Sequence, residues 1–105
     1  MSYNLNLFPA VVLRGMTIFP GTVAHFDISN TRDIHAVEQA MVGQEQVFLV
    51  TQKNLEADRP EIGDLYEVGV VARVRQVIKM NPGIVRVLVE GLYRGRLAMM
   101  EMSGE

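Results

Sequence analysis

The side chains able to carry proton transfer, nucleophilic attack or metal binding are few and scattered in this 105-residue sequence. His25 and His35 are the two histidines, and neither has a partner histidine at ligand spacing. There is no cysteine, which removes a thiolate nucleophile, a thiolate metal site and a disulfide framework together. The serines are Ser2, Ser29 and Ser103; two lie near the termini and Ser29 stands where a helix cap is expected, so none sits beside a base as nucleophilic catalysis requires. Neither Lys53 nor Lys79 follows a glycine, so there is no G-x-x-x-x-G-K-[ST] phosphate loop, and G-x-G-x-x-G is also missing. The acids from Glu56 to Glu67 fall in a polar stretch with Pro60 and Gly63, which reads as a solvated loop. These residues describe a recognition module with no catalytic, cofactor-binding or metal residues of its own.

Two sets can do recognition chemistry. The first is basic: Arg73, Arg75, Lys79, Arg86, Arg94 and Arg96. Residues 1–66 carry a net −4 and residues 67–105 a net +2, so an anion-binding face would have to lie in the C-terminal part. RNA binding also wants aromatic platforms, and only Tyr93 is near, expected on the opposite face of its strand. The second set is apolar. Methionine occurs seven times, and its flexible thioether suits either core gaps or an adaptable binding surface. Met16 and Phe19 share an early loop, Met80 flanks a turn, and Met99 and Met100 are adjacent, so on a strand they face opposite ways. Met16, Phe19, Met80, Met99 and Met100 are therefore the candidates for an apolar binding surface, with core packing the alternative for each.

The elements that must position these residues are mostly strands. Hydrophobic residues make up 49% of the chain, enough for one packed domain, and no run approaches a membrane span. No secretory signal opens the sequence, and a cytoplasmic location is expected. Residues 7–14 read as a first strand, Arg14–Gly21 as a glycine-bracketed loop, and Thr22–Ile28 as a second strand. Ser29, Asn30 and Thr31 offer N-caps to a helix with Asp33 in its first turn, Ile34, Val37 and Met41 on an apolar face that Ala36 and Ala40 widen, and Gly43 as its stop. Val47–Thr51 reads as a buried strand.

Glu67–Tyr93 is the most informative stretch, a long β-hairpin broken at Asn81-Pro82-Gly83. Val70, Ala72, Val74, Ile78 and Met80 alternate, interrupted only by Gln76; Val85, Val87, Val89 and Tyr93 do the same. A four-residue loop, 81–84, pairs Met80 with Val85, Ile78 with Val87 and Arg75 with Glu90. Gly91 marks a bend or bulge, and Arg94–Met102 supplies one more strand. The expected architecture is mainly β with one α-helix: a small, partly closed β-barrel of about six strands.

Ordered blocks of this sequence resemble the N-terminal, substrate-binding domain of the ATP-dependent Lon protease family. Val12-Leu13-Arg14-Gly15-Met16 through Phe19-Pro20-Gly21 looks like that domain's opening, and Leu49-Val50-Thr51-Gln52-Lys53 continues the match. The strongest blocks are Asp64–Arg73 and Val85–Leu92, and the likeness covers residues 7–97. The resemblance implies a PUA-like fold. It implies a substrate-recognition and assembly module of an ATP-dependent serine protease that degrades misfolded or regulatory proteins. Its ATPase and Ser–Lys peptidase would lie outside this chain, with ATP and Mg needed only by the parent enzyme. Partners would be unfolded or damaged proteins and other Lon subunits in a homohexameric parent, with no membrane and no nucleic acid. Ala24–Ile28 departs from the family's more apolar stretch there. Residues 1–105 then form a single Lon N-terminal-type β domain, truncated before a closing strand and a helical lobe, whose unpaired edge or Met99/Met100 would promote self-association. Alternatives are an RNA-binding PUA-like module using the basic hairpin face, and a stand-alone Lon-domain adaptor.

Overall fold

The computed structural model describes residues 7–98. In chain order they form β1 (Ala10–Leu13), β2 (Val23–Ile28), α1 (Thr31–Met41), β3 (Gln46–Thr51), a 3-10 turn at Ile62–Asp64, β4 (Val68–Asn81) and β5 (Ile84–Arg96). One five-stranded sheet has the order β1-β3-β4-β5-β2, with β1 parallel to β3 and the other neighbours antiparallel. Val11 and Leu13 from one edge strand and Phe26 and Ile28 from the other bury into the same core, so the sheet curls around it. Ile18, 3% exposed, fills that core from the loop that crosses between β1 and β2. The mainly-β, one-helix class is as expected, but the curl stays open: among the described residues β1 and β2 do not pair. Arg94–Arg96 proves to be the end of β5 rather than a separate strand, and residues from Met99 onward lie outside the described residues.

The helix begins where the sequence places it, with Asn30 Oδ1 accepting the Arg32 N–H at 2.7 Å. Its buried stripe keeps the expected Val37, Ala36 and Ala40 but adds Asp33 and loses Met41. Asp33, Ala36, Val37 and Ala40 face the core, while Met41 is 40% exposed and Ile34 only flanks it. Gly43 is not the left-handed residue; Glu45 is, at φ 62, and its N–H bonds the Ala40 carbonyl at 2.9 Å. Asp33 turns inward because β1 is an edge strand with an N–H to satisfy: Val12 N–H donates to Asp33 Oδ1 at 3.4 Å.

Burial raises the Asp33 carboxyl above the usual aspartate range, opposed by the Val12 hydrogen bond and the Arg32 charge. The folded protein therefore holds this proton more tightly than the unfolded chain. The stability linked to it is fully present below the unfolded value and is lost as pH rises through the folded one. Asp33→Asn keeps an oxygen for Val12 and cannot ionise. The difference in unfolding free energy between wild type and Asp33→Asn should shift in favour of the variant as pH is raised from about 3.8 to neutrality, measured by urea unfolding at several pH values. A flat difference would show that burial does not control this carboxyl.

The hairpin forms, but in another register. Asn81 pairs with Ile84 across a two-residue Pro82-Gly83 turn, with Gly83 at φ 86 as a type II turn requires. Lys79 then faces Val85 and Ile78 faces Arg86, replacing the Met80–Val85 and Ile78–Val87 pairs. Bulges restore burial farther along. Between Val74 and Gln76 the extra residue is Arg75, which shifts the alternation so that Val77, not Ile78, rejoins the core. Between Val71 and Ala72 the extra residue is Leu92, beside Gly91, which turns Tyr93 away from the Val85–Val87–Val89 face and across from Val71. The bend expected at Gly91 is present.

Candidate functional site

β2 shows how a less apolar strand still serves the core. Phe26 and Ile28 are buried, and Asp27 points out to accept a two-pronged bond from Arg86, Nε to Oδ1 at 2.8 Å and Nη2 to Oδ2 at 3.1 Å. The Arg86 guanidinium lowers the Asp27 carboxyl below its usual range. Arg75 pairs with Glu90 at 2.8 Å and Arg96 with Glu67 at 3.1 Å. Three of the basic set are thus already matched with carboxylates inside the fold. Such exposed pairs add little to stability because solvent screens them, but they remove free cations from the face an anion would need. Lys79 leaves that face altogether by pairing with Val85, and Tyr93, expected opposite the arginines, lies on the same side as Val71 and Arg73.

The acidic loop is tied down by its own chain. Gln52, 3% exposed, donates to the Asn54 and Ala57 carbonyls at 2.6 and 2.8 Å. Asp64 accepts from Glu61 N–H at 2.9 Å and Asn54 Nδ2 at 3.1 Å, which lowers its carboxyl. These carboxylates hold a loop shape. Among the described residues no three acidic or histidine side chains converge as metal ligands.

The apolar candidates separate. Met16 is half-buried against the main core, and its carbonyl accepts from Thr51 Oγ1 at 3.0 Å, so it packs the fold rather than the surface. Phe19 is 54% exposed beside Gly91, where Gly21 N–H meets the Gly91 carbonyl at 2.8 Å. Met80 is 43% exposed at the hairpin turn. The β5 span from Ile84 to Gly91 separates these two by roughly 20 Å along the strand. Met99 and Met100 lie outside the described residues. The structure instead brings two unsingled residues to Met80: Ile78, 39% exposed, and Ile84, 36% exposed. The Gln76 break in the apolar alternation was the available signal, because a bulge there pushes Ile78 outward.

An open, curled β-sheet with one helix packed in its curl, an apolar hairpin tip and ion-paired flanks defines a recognition domain. The family model described as the ATP-dependent protease La (LON) substrate-binding domain matches residues 8–105. The Lon protease of Syntrophomonas wolfei is 48% identical over 89 residues, 85% of this chain and 11% of that protein. The Lon protease of Clostridioides difficile is 44% identical over 95 residues, 90% of this chain and 12% of that one. In solved structures, the N-terminal domain of Mycobacterium avium complex Lon protease shares the fold at TM-score 0.65 and 21% identity, covering 85% of this chain and 44% of that one. The Lon N-terminal domain protein from Xanthomonas campestris does so at 0.63 and 16%, covering 85% and 47%. The chain belongs to the Lon protease family, as its N-terminal substrate-binding domain. It spans about an eighth or less of the curated relatives it matches, and their catalytic parts lie in the rest of their length. No helix among the described residues is long and apolar enough to cross a membrane.

Proposed function

We propose that this domain captures unfolded or damaged polypeptides for a cytoplasmic, homohexameric Lon-type protease, in which ATP, Mg and the Ser–Lys peptidase act elsewhere in the parent. The observation that carries the reading is the apolar tip of the β4–β5 hairpin, where Ile78, Met80 and Ile84 stand exposed together in a domain of a substrate-binding family. Exposed apolar side chains at the end of a two-stranded arm reach polypeptides that have lost their own core. In the proposal Phe19 is a separate apolar contact, and Met16 supports the loop that carries it. Neighbouring subunits complete the assembly.

The test is a titration of a reduced, carboxymethylated model protein and of a fluorescent RNA, each at two salt concentrations. Weak binding of the unfolded protein that changes little with salt is expected. RNA affinity that falls by orders of magnitude with salt, with no protein binding, would transfer the function to the basic face. Met80→Asp should weaken capture about fivefold, since burying roughly half a methionine side chain is worth about 1 kcal/mol. Val42→Asp, at the C-cap of the helix and 88% exposed, should leave it unchanged.

A further inference from the structure

β4 is longer than the strand beside it. β3 begins at Gln46, opposite Arg73, and the last backbone bond on that side is Val74 N–H to the Glu45 carbonyl at 2.8 Å. Glu45, in its left-handed conformation, ends the turn that brings the chain from α1 into β3. From Arg75 to Asn81 the edge of β4 away from β5 therefore has no strand against it among the described residues. The open stretch is roughly 20 Å long. Arg75, Gln76, Ile78, Lys79 and Met80 along it are exposed.

We infer that this edge takes up an extended segment of unfolded polypeptide as an added strand. The inference rests on the proposed capture function and specifies how capture occurs. An edge strand presents N–H and C=O groups that any polypeptide backbone can pair. Folded proteins hold theirs in their own helices and sheets, whereas unfolded chains do not. Such a site reads conformation and tolerates sequence, and Ile78 and Met80 add apolar contact for alternate side chains of the guest.

A second copy of this chain is the competing occupant, and the edge is built against it. Symmetric antiparallel pairing centred on Val77 would gather Arg75 and Lys79 of both copies along one seam, on its two faces, and the added positive charge is unfavourable. The bulges at Val74/Gln76 and Lys79/Asn81 bend the strand at both ends of the open stretch, a device that blunts pairing between rigid edges. A flexible segment follows the bend and brings no fixed cations.

Backbone methylation tests this without altering the protein. An apolar peptide of about eight residues is prepared unmodified and in two forms N-methylated at alternate residues, one form for each side of an extended strand. All three are titrated against the full chain. One methylated form should lose about tenfold or more in affinity and the other should bind as the parent does. Slowed amide exchange at alternate positions within residues 75–81 should accompany binding. Equal affinity of all three peptides would overturn strand addition while leaving capture by side chains intact. Absence of binding by the unmodified peptide would overturn capture itself and this mode with it. Dimers that form with concentration and resist the peptide would assign the edge to a second copy and overturn the inference.

Discussion

Gly91→Ala should destabilise the domain by about 2–4 kcal/mol, far more than its size suggests. A methyl group at position 91 would overlap the Phe19 carbonyl and press on Pro20 Cα at 3.3 Å. The obstacle is backbone, which cannot rotate aside as a side chain can. It is also held from both directions, by Gly21 N–H on the Gly91 carbonyl at 2.8 Å and Gly91 N–H on the Thr22 carbonyl at 2.9 Å. Relieving the overlap breaks those bonds and lifts the crossing loop, and Ile18 leaves the core with it. Gly63→Ala is the control. It meets nothing within 4 Å and should change stability by a few tenths of a kcal/mol. Urea unfolding of both variants checks the contrast. Equal effects would mean that the loop is not anchored at Gly91.

Alternation and turn signals were legible wherever each strand keeps one phase. β2, β3 and the start of β4 follow their patterns, and Asn30 caps the helix as its side chain predicts. The hairpin register was not legible, because register depends on where extra residues are inserted. Pro82 does exclude a type I′ turn, but Gly83 supplies the positive φ of a type II turn, so a two-residue connection forms. That slip would bury Arg86 and expose Val77 if it ran the whole way. The bulge at Arg75 corrects it, and the broken alternation at Gln76 is its trace. One position on the buried helix face, Asp33, was not legible for a different reason. Asp33 reads as an N-terminal charge favoured by the dipole, and nothing local announces that it also turns inward to the edge of β1.

The candidate surface was legible in part. Composition singles out methionine, but exposure is a tertiary property, and Met16 and Met80 have the same chemistry and opposite surroundings. Ile78 looks like a core residue in sequence, and Ile84 falls in the expected loop. Ile78 is exposed because the bulge at Arg75 turns it outward, and Ile84 because it sits at the end of the two-stranded arm beyond β3. The basic set was legible as a cluster and so was the pairing of Arg75 with Glu90, whereas the ion pairs of Arg86 with Asp27 and Arg96 with Glu67 needed the observed strand pairing.

On the outer face of the sheet, Phe48→Ala should cost about 3 kcal/mol, at the low end for a buried phenylalanine because its cluster is small. The ring lies across Gly69 and Gly95, which pair directly between β4 and β5. An aromatic side chain over cross-strand glycines covers backbone that has no side chains of its own. The two glycines should respond differently when the ring is removed. A methyl at Gly95 meets only side chains, the Phe48 ring at 3.3 Å and Val71 at 4.0 Å. In wild type Gly95→Ala should therefore cost about 1 kcal/mol. In the Phe48→Ala background it should stabilise by roughly 0.5 kcal/mol, as alanine does over glycine in a strand. A methyl at Gly69 meets the ring at 2.7 Å and also the Leu49 carbonyl, which does not leave with the ring. Gly69→Ala should stay destabilising in both backgrounds. A double-mutant cycle on each glycine measures the difference directly. If the two cycles give the same coupling, the close approach of β3 to β4 is not what requires glycine at position 69, and the ring alone accounts for both.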